Sequence, residues 1–406
     1  MESIIFLNNN QNGDNLNSTT VIPEHHSNET HDDDHISEFS AEMFQHRLPN
    51  TVIMALMMFF GIIGNSVVLY VYFTKLSHVN MERYFIPFLA IVDLVACLIG
   101  PSFALMENVY SVTFPSAVLC KTLWYVTSLT SGISVSLLFI IAAHRHRKLC
   151  CPHKKQMTVH HKRMFMAIMF ITVAVTLTPM IFFVDLQHLK FEHDNYHVEG
   201  ITCAPHNPEQ SLEERIYFGI MFGMISLIII ATGILYVSIG KVVFERLQKT
   251  RKSSIPASPK LVITLTDTTI KETSRETEPS KNSEESSTQN PGGHRSNPRT
   301  YRKYRLNFYI MFFTIFICNT VSFVPSMVYL LLHENDIEFF FSHDTALVNV
   351  HLSLHRLYVT NHVLNPFIYG YFDLTFRKNV IETFRNLCRR RNALDRNIPI
   401  SDSTRC

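Results

Sequence analysis

The sequence has few charged residues and almost no tryptophan. Only 17% of its 406 residues are charged, the formal net charge is +2, and a single Trp stands beside 31 Phe. So small a net charge gives no indication of nucleic-acid binding. The chain also lacks a glycine-rich phosphate loop and a nucleophile–base pattern, so nothing indicates an enzyme. The apolar run at residues 3–7 is too short for the core of a cleavable signal peptide, and none is expected.

Long apolar runs are what the sequence has instead. Six runs of about 20 or more residues, interrupted by charge only at Asp93, lie at 51–74, 85–106, 122–143, 164–184, 216–240 and 307–332. A helix of that length crosses roughly 30 Å of hydrocarbon. The runs lack the polar face of a helix in a soluble protein, so we predict six membrane-spanning helices. A seventh run, 345–371, is more polar, and hydropathy leaves it open because it carries His351, His355, Arg356 and His362.

Charge asymmetry predicts the orientation of these helices. The loops after the first and third runs are basic, with Arg83 and Arg145 among their residues, whereas Asp32–Asp34 precede the first run. Because basic loops stay in the cytoplasm, we predict a multi-pass protein of the plasma membrane, with its N-terminus outside and its C-terminus inside. Asn17 and Asn28 begin N-glycosylation sequons on the side predicted to be extracellular.

The polar blocks complete the predicted organisation of the chain. A basic amphipathic helix follows the seventh run and would lie on the inner leaflet, with Cys388 a candidate for palmitoylation. We expect a disordered, glycosylated extracellular tail (1–48), helices one to five (49–246), a disordered cytoplasmic loop (247–302), helices six and seven (303–371), the amphipathic helix (372–388) and a cytoplasmic tail (389–406).

Five polar residues lie inside the apolar runs: Asn65, Asp93, Ser134, Asn361 and Asn365. Ionisable groups within a bilayer cost a few kcal/mol and are usually functional. Because Asn361 and Asn365 are four residues apart, they share one helix face. Asp93 needs partners, and we predict that these groups form a network around it.

Four motifs in these runs carry a resemblance to a known family. They are Gly64-Asn65, "LAIVD" ending at Asp93, Arg145 at the end of the third run, and "NPFIY" at Asn365–Tyr369. With seven apolar runs, the chain resembles a class A (rhodopsin-like) G-protein-coupled receptor, of the peptide-receptor type. The resemblance implies an all-α bundle of seven transmembrane helices with a short amphipathic eighth helix. It also implies a non-enzymatic receptor in the lipid bilayer, with a heterotrimeric G protein, receptor kinases and arrestin as cytoplasmic partners.

The resemblance further implies a sodium ion and a disulfide bond. The ion would be held in the inactive state by Asp93 and Ser134 with Asn361 and Asn365, since carboxylate, hydroxyl and amide oxygens suit a hard cation; no other cofactor is expected. A structural polar network without an ion stays open as the alternative. The disulfide would join Cys120 at the top of the third helix to Cys203 in the second outer loop.

The resemblance also assigns the activation switches, which are Arg145, Tyr236, Phe323, Pro325, Pro366 and Tyr369. Arg145 stands in His144-Arg145-His146, where the family usually has Asp-Arg-Tyr, and Arg305 begins the sixth helix, where many members have Glu. Two cations cannot form the usual ionic lock. We therefore expect a less restrained resting state with appreciable basal signalling. A basic helix end that contacts lipid phosphates is the alternative.

The ligand is inferred from absences and from charge. Thr127 stands where aminergic receptors have Asp, and Val359 where opsins have Lys, so neither an amine nor retinal is indicated. The predicted outer face is rich in carboxylates, Glu107 among them, which favours a cationic neuropeptide. The expected pocket residues are Tyr125, Thr127, Phe323, Tyr329, His355 and Tyr358. A proton or metal sensor is the alternative, and its candidate groups are His25, His26, His31, His35, His351 and His355. A transporter would predict internal repeats, which the chain lacks.

Overall fold

The computed structural model describes residues 5–6, 29–76, 83–154, 156–193, 196–205, 212–253, 298–333 and 344–396. Most of them are helical. The helices are α1 (Glu29–His46), α2 (Leu48–Thr74), α3 (Ile86–Val109), α4 (Ala117–Cys150), α5 (Val159–Leu177), α6 (Met180–Phe183), α7 (Leu212–Ser253), α8 (Pro298–His333), α9 (Thr345–His355), α10 (Val359–Phe372) and α11 (Leu374–Arg396). The strands are β1 (Ile5–Phe6), β2 (Val184–His193) and β3 (Tyr196–Pro205).

Six segments in the described part of the chain are long and apolar enough to cross a membrane. They are Leu48–Thr74, Ile86–Val109, Ala117–Cys150, Val159–Phe183, Leu212–Arg246 and Leu306–Tyr329. Large apolar side chains such as Phe59 and Leu227 are exposed on their outer faces. Such faces are suited to lipid rather than water. The six predicted spans are therefore confirmed.

The seventh crossing consists of two helices, α9 and α10, which are interrupted at Arg356–Tyr358. Neither helix alone would span the hydrocarbon, but together they cover the predicted run. Ser326 of α8 donates a hydrogen bond to the carbonyl oxygen of His355, where α9 ends. This bond satisfies a backbone acceptor that the interruption leaves without a helical partner. The seven-helix bundle with an amphipathic eighth helix is confirmed.

The segments outside the bundle differ from the predictions. Helix α1 lies within the tail that we expected to be disordered, and α11 continues to Arg396, beyond the predicted end at 388. Helices α7 and α8 also extend into both ends of the predicted loop at 247–302, and residues 254–297 lie outside the described residues. The sequons at Asn17 and Asn28 likewise lie outside them.

A β-hairpin, which the sequence did not predict, follows the fourth crossing. Strands β2 and β3 pair antiparallel from Val184 opposite Pro205 to His193 opposite Tyr196, and β1 adds to the edge of β2. The backbone of Ile201 exchanges hydrogen bonds with Val112 and Phe114 beyond the end of α3. We call this side of the bundle the hairpin end and the opposite side the α11 end.

A disulfide bond ties the hairpin to the bundle. Cys203 of β3 is bonded to Cys120 in the first turn of α4, with a Cα–Cα distance of 5.6 Å. Lys121, the next residue of α4, forms an ion pair at 2.8 Å with Asp185 of the other hairpin strand, β2. The hairpin is thereby fixed over the mouth of the bundle.

The contact between α2 and α10 explains the Gly64-Asn65 motif. Pro366 has no backbone N–H, so the carbonyl oxygen of His362, four residues earlier, has no helical donor. The side-chain amide of Asn65 donates to this oxygen at 3.1 Å and to the carbonyl oxygen of Gly61 at 3.0 Å. A Cβ at Gly64 would lie 2.9 Å from Cγ of Pro366, so glycine permits the close approach. Asn65 therefore supports the helix pair rather than Asp93.

Candidate functional site

A cavity of ≈ 310 Å³ opens in the hairpin half of the bundle. It lies between α3, α4, α5, α7, α8 and the interruption of the seventh crossing, and its lining is largely apolar. Among the predicted pocket residues, the structure places Thr127, Phe323, His355 and Tyr358 on its wall. Cavities with an apolar wall and a few polar groups are the usual form of a ligand site.

Two of the predicted pocket residues do not line this cavity. The hydroxyl of Tyr125 donates to the carbonyl oxygen of Ala174 at 3.1 Å, so it joins α4 to α5. The hydroxyl of Tyr329 lies 2.6 Å from Nδ1 of His351, which joins α8 to α9. Both rings therefore connect helices outside the wall of this cavity, and their role as pocket residues stays a prediction.

Sequence reasoning missed Trp124, the chain's single Trp. It lines the cavity, and its ring centroid lies 6.0 Å from that of Phe103 and 6.4 Å from that of His355. Trp124, Thr127, Ser128 and Ser131 follow helical spacing, and all four line the cavity. The spacing from Thr127 would have been enough to find this face of α4.

A charged cluster closes the cavity toward α2. Arg356 is buried at the interruption of the seventh crossing, and its guanidinium donates to Glu107 Oε2 at 3.0 Å. It also donates to Asn50 Oδ1 at 2.6 Å and to Asn108 Oδ1 at 2.9 Å. Arg47, between α1 and α2, donates to the backbone oxygen of Glu107 at 3.1 Å. Burial, with the like charge of Arg356, lowers the pKa of Arg47 to about 10. The cluster joins three crossings at the hairpin end.

Glu107 and Arg356 are the charged side chains among the described residues on the cavity wall, apart from the titratable His355. We had placed Glu107 on the outer face from its sequence position, and the structure moves it into the cavity. Arg356 had counted only against the seventh span. Its three acceptors explain why a buried guanidinium is tolerated there.

The polar core around Asp93 has different members from those predicted. Asp93 is fully buried, and each of its carboxylate oxygens has one partner: Nδ1 of His362 lies 2.8 Å from Oδ1, and the side-chain amide of Asn365 donates to Oδ2 at 2.7 Å. Asn361 reaches Ser134 instead, at 3.5 Å. Of the four predicted partners, only Asn365 contacts Asp93 directly, and His362 was missed. The three-residue spacing of His362 and Asn365 places both on one helix face and could have indicated it.

The residues around Asp93 do not fit the sodium ion that the resemblance implies. A sodium ion needs oxygen lone pairs around it, but the two groups that contact the carboxylate present N–H donors to it, and an N–H group cannot be a ligand. Among the described residues, Oδ1 of Asn361 and Oδ1 of Asn365 have no hydrogen-bond partner. Neutral amide oxygens of this kind suit water molecules as well as ions.

Arg145 lies against aromatic rings at the α11 end. Its guanidinium carbon is 4.3 Å from the ring centroid of Phe308 and 4.0 Å from that of Phe312, both on α8. Such contacts are attractive by about 0.5–2 kcal/mol. Instead of two repelling cations, the structure gives Arg145 two aromatic partners on the sixth crossing. The side chain of Arg305, which we expected to repel it, lies outside the described residues.

His144 and the two activation tyrosines are buried nearby. The ring of His144 meets Phe85 edge-on at a centroid distance of 5.6 Å. Tyr236 of α7 contacts Phe316 of α8 at 5.2 Å, and Tyr369 of α10 meets Phe376 at 6.4 Å. Neither tyrosine hydroxyl has a hydrogen-bond partner among the described residues. Two of the other switches, Pro325 and Pro366, lie inside α8 and α10.

A buried ion pair begins the amphipathic helix. Nη2 of Arg83 lies 2.8 Å from Oδ1 of Asp373, and the hydroxyl of Tyr72 donates to Oδ2 of Asp373 at 3.3 Å. Asp373 also accepts from the backbone N–H groups of Thr375 and Phe376, and so caps α11. Cys388 is exposed on α11, as its predicted palmitoylation requires.

The alternative of a metal sensor gains no support from the described residues. They contain no group of three or more His, Cys, Asp or Glu side chains that could hold a metal ion. His351 is engaged with Tyr329, and His355 faces the cavity. The side chains of His31 and His35, and all of His25 and His26, lie outside the described residues.

Comparison with known proteins places this architecture in a family. Residues 64–369 match the model described as "7 transmembrane receptor (rhodopsin family)". The crystal structure of squid rhodopsin superimposes with a TM-score of 0.55 at 14% sequence identity, over 86% of this chain and 87% of that one. That likeness concerns the fold alone.

Three curated relatives are peptide receptors by name. The chain is 23% identical over 189 residues to the pyroglutamylated RF-amide peptide receptor of Mus musculus, and the match covers 46% of this chain and 43% of that receptor. It is 26% identical over 200 residues to neuropeptide FF receptor 2 of Rattus norvegicus (47% of each chain) and 25% identical over 170 residues to neuropeptide Y receptor type 2 of Macaca mulatta (42% and 43%). These matches span less than half the length of the relatives. Since the family model covers most of the sequence, the chain belongs to the rhodopsin family of seven-transmembrane receptors.

Proposed function

We propose that this protein is a receptor for a cationic peptide, which enters from the hairpin end, and that it activates a heterotrimeric G protein at the α11 end. In this proposal the N-terminus and hairpin are extracellular, as charge asymmetry predicts. The observation that carries the ligand class is the position of Glu107, a carboxylate on the wall of a largely apolar cavity. The three relatives, each named for a peptide, support it.

The Glu107–Arg356 pair would recognise the ligand by exchange. A guanidinium or ammonium group from the peptide would take over Oε2 of Glu107, which now accepts from Arg356 at 3.0 Å. Arg356 would still donate to Asn50 and Asn108, so its guanidinium would keep these hydrogen bonds during the exchange. An apolar or aromatic residue of the peptide would fill the cavity beside Trp124.

The proposed signal leaves through Arg145 and the helices around it. Arg145, Phe308 and Phe312 join the third and sixth crossings at the end expected to face the cytoplasm. Separation of α4 from α8 would release Arg145 toward the G protein. Receptor kinases and arrestin remain proposed partners, and the hydroxyl-rich segment 247–302 would be the kinases' substrate.

A peptide screen of Glu107 variants tests this function. Cells that express the chain would be challenged with amidated peptides containing Arg or Lys, with calcium and cyclic-nucleotide readouts. For an active peptide, Glu107→Gln should lower potency by about 10-fold or more, since hydrogen bonds to charged groups contribute about 1.5–3 kcal/mol. Glu213→Gln, at an exposed carboxylate in the first turn of α7, is the matched control and should change potency little.

The same screen separates the alternatives. Activation by acidic medium or by zinc without peptide would support the sensor instead. Equal potency at wild type and Glu107→Gln, with normal surface expression, would show that Glu107 does not bind the ligand cation. If the exchange is wrong, replacing an Arg of the active peptide by citrulline should lower potency no more in the wild type than in Glu107→Gln.

A further inference from the structure

We infer that the N–H groups of His362 and Asn365 compensate the buried carboxylate of Asp93, so that this receptor lacks a sodium site. The inference concerns the centre of the bundle and does not depend on the proposed ligand. It rests on the hydrogen bonds of Asp93, on the fixed position of His362 and on the polarity of the groups that face the carboxylate.

The first step is the occupancy of the carboxylate. Nδ1 of His362 lies 2.8 Å from Oδ1 of Asp93, and the amide of Asn365 donates to Oδ2 at 2.7 Å. Asp93 is 0% exposed and His362 is 2% exposed. Both partners are N–H donors, so neither offers a lone pair to a cation.

The second step is the position of the imidazole. The carbonyl oxygen of His362 accepts a hydrogen bond from Asn65, because Pro366 leaves it without a helical donor. The backbone of His362 is thus fastened to α2, while its ring is fastened to α3 through Asp93. His362 therefore belongs to the packing of three crossings, and its ring is held at the carboxylate.

The third step is the polarity of the groups around the carboxylate. An isolated carboxylate inside a bilayer is costly and needs compensation. The ring N–H of His362 and the amide N–H of Asn365 supply it, because both direct their positive ends at the two oxygens. Neither N–H can be a ligand of a cation, so the two groups that contact Asp93 compensate its charge without offering a place in a sodium shell.

The remaining polar groups agree with this arrangement. Ser134, which the resemblance implies as a sodium ligand, accepts from Asn361 at 3.5 Å. The side-chain N–H groups of Asn65 are directed to backbone oxygens. Two of the implied sodium ligands, Ser134 and Asn361, thus contact each other across the bundle.

Thermal unfolding of the purified full-length receptor tests the inference without any ligand. Unfolding midpoints would be measured in sodium chloride and in choline chloride at equal ionic strength. The wild-type midpoint should be the same in both salts. A saturable rise with sodium that disappears in Asp93→Asn would overturn the inference, and these two proteins decide it even if other variants fail to fold.

A second variant asks whether His362 excludes the ion. His362→Ser replaces the ring by a small hydroxyl, and Oδ1 of Asp93 loses the ring N–H that contacts it. Its midpoint should rise by several degrees in sodium relative to choline, and Asp93→Asn in the same background should abolish the rise. A folded His362→Ser protein that ignores sodium would overturn the assignment of His362 as the reason for the missing site.

Discussion

At the scale of single residues, Arg145 contacts aromatic rings in a chain that lacks the aspartate usually found beside this arginine in the family. The sequence predicted repulsion between cations and a less restrained resting state. In the structure, the guanidinium lies over Phe308 and Phe312, whose rings meet edge-on at 5.3 Å one helical turn apart. Arg83 lies 5.9 Å from the same Phe308 and is paired with Asp373, so the aromatic contact is connected to the start of α11. The level of basal signalling stays a prediction.

A ring deletion measures what this contact contributes. Phe312→Leu keeps apolar bulk but removes the cation–π attraction, whereas Phe312→Tyr keeps the ring. We expect Phe312→Leu to weaken the resting state by about 1 kcal/mol, which shifts a two-state equilibrium roughly fivefold toward signalling. Ligand-free signalling per receptor at the cell surface is the measurement.

Phe170→Ala, at an exposed ring of α5 that faces the lipid, is the control and should leave ligand-free signalling unchanged. Equal signalling by wild type and Phe312→Leu would show that the aromatic contact does not restrain the sixth crossing. A rise in Phe312→Tyr as large as that in Phe312→Leu would point to altered packing instead of the loss of the ring.

At the scale of elements, the contact between α2 and α10 depends on a missing N–H. Pro366 frees a carbonyl oxygen, Asn65 satisfies it, and Gly64 allows the two helices to approach. Each residue is explained by the other two. This dependence gives the Gly64-Asn65 motif a physical reason in this protein.

Asn65→Leu should destabilise the bundle. It removes two hydrogen bonds and leaves the carbonyl oxygen of His362 buried without a donor, at a cost of about 1–3 kcal/mol. The melting midpoint of the purified receptor is the measurement. Asn349→Leu, which removes amide bonds at the hairpin end of α9, is the comparison variant because its site is less buried. A smaller loss at Asn65 than at Asn349 would contradict the importance of the freed carbonyl.

At the scale of the whole molecule, the predicted orientation has a direct test. Epitope tags would be placed before residue 5 and after residue 396, and antibody access would be measured on intact and permeabilised cells. An odd number of crossings places the two tags on opposite sides, and the basic loops predict the first tag outside. Access to both tags on intact cells would contradict seven crossings. Access to the C-terminal tag alone would reverse the orientation and remove the basis for an extracellular peptide.

Much of this organisation can be predicted from sequence because it depends on length and composition along the chain. Six apolar runs and the amphipathic helix after Tyr371 need no knowledge of neighbours. The hairpin and α1 were missed, since their stability comes from pairing and from contact with the bundle. The break in the seventh crossing at Arg356 was missed for the same reason: the buried guanidinium is compensated by residues of α2 and α3.

The sequence by itself determined six crossings of a bilayer, which residues are polar within them, and the chemistry of each of these residues; its motifs, through the family resemblance, added the seventh crossing. Only the tertiary structure decided which of these residues meet. His362 and Asp93 are 269 residues apart, and a rotation of either helix by one residue would separate them. Whether a segment can cross the hydrocarbon depends on its own length and apolar composition. Which side chains meet inside the bundle depends on how the helices rotate and approach one another.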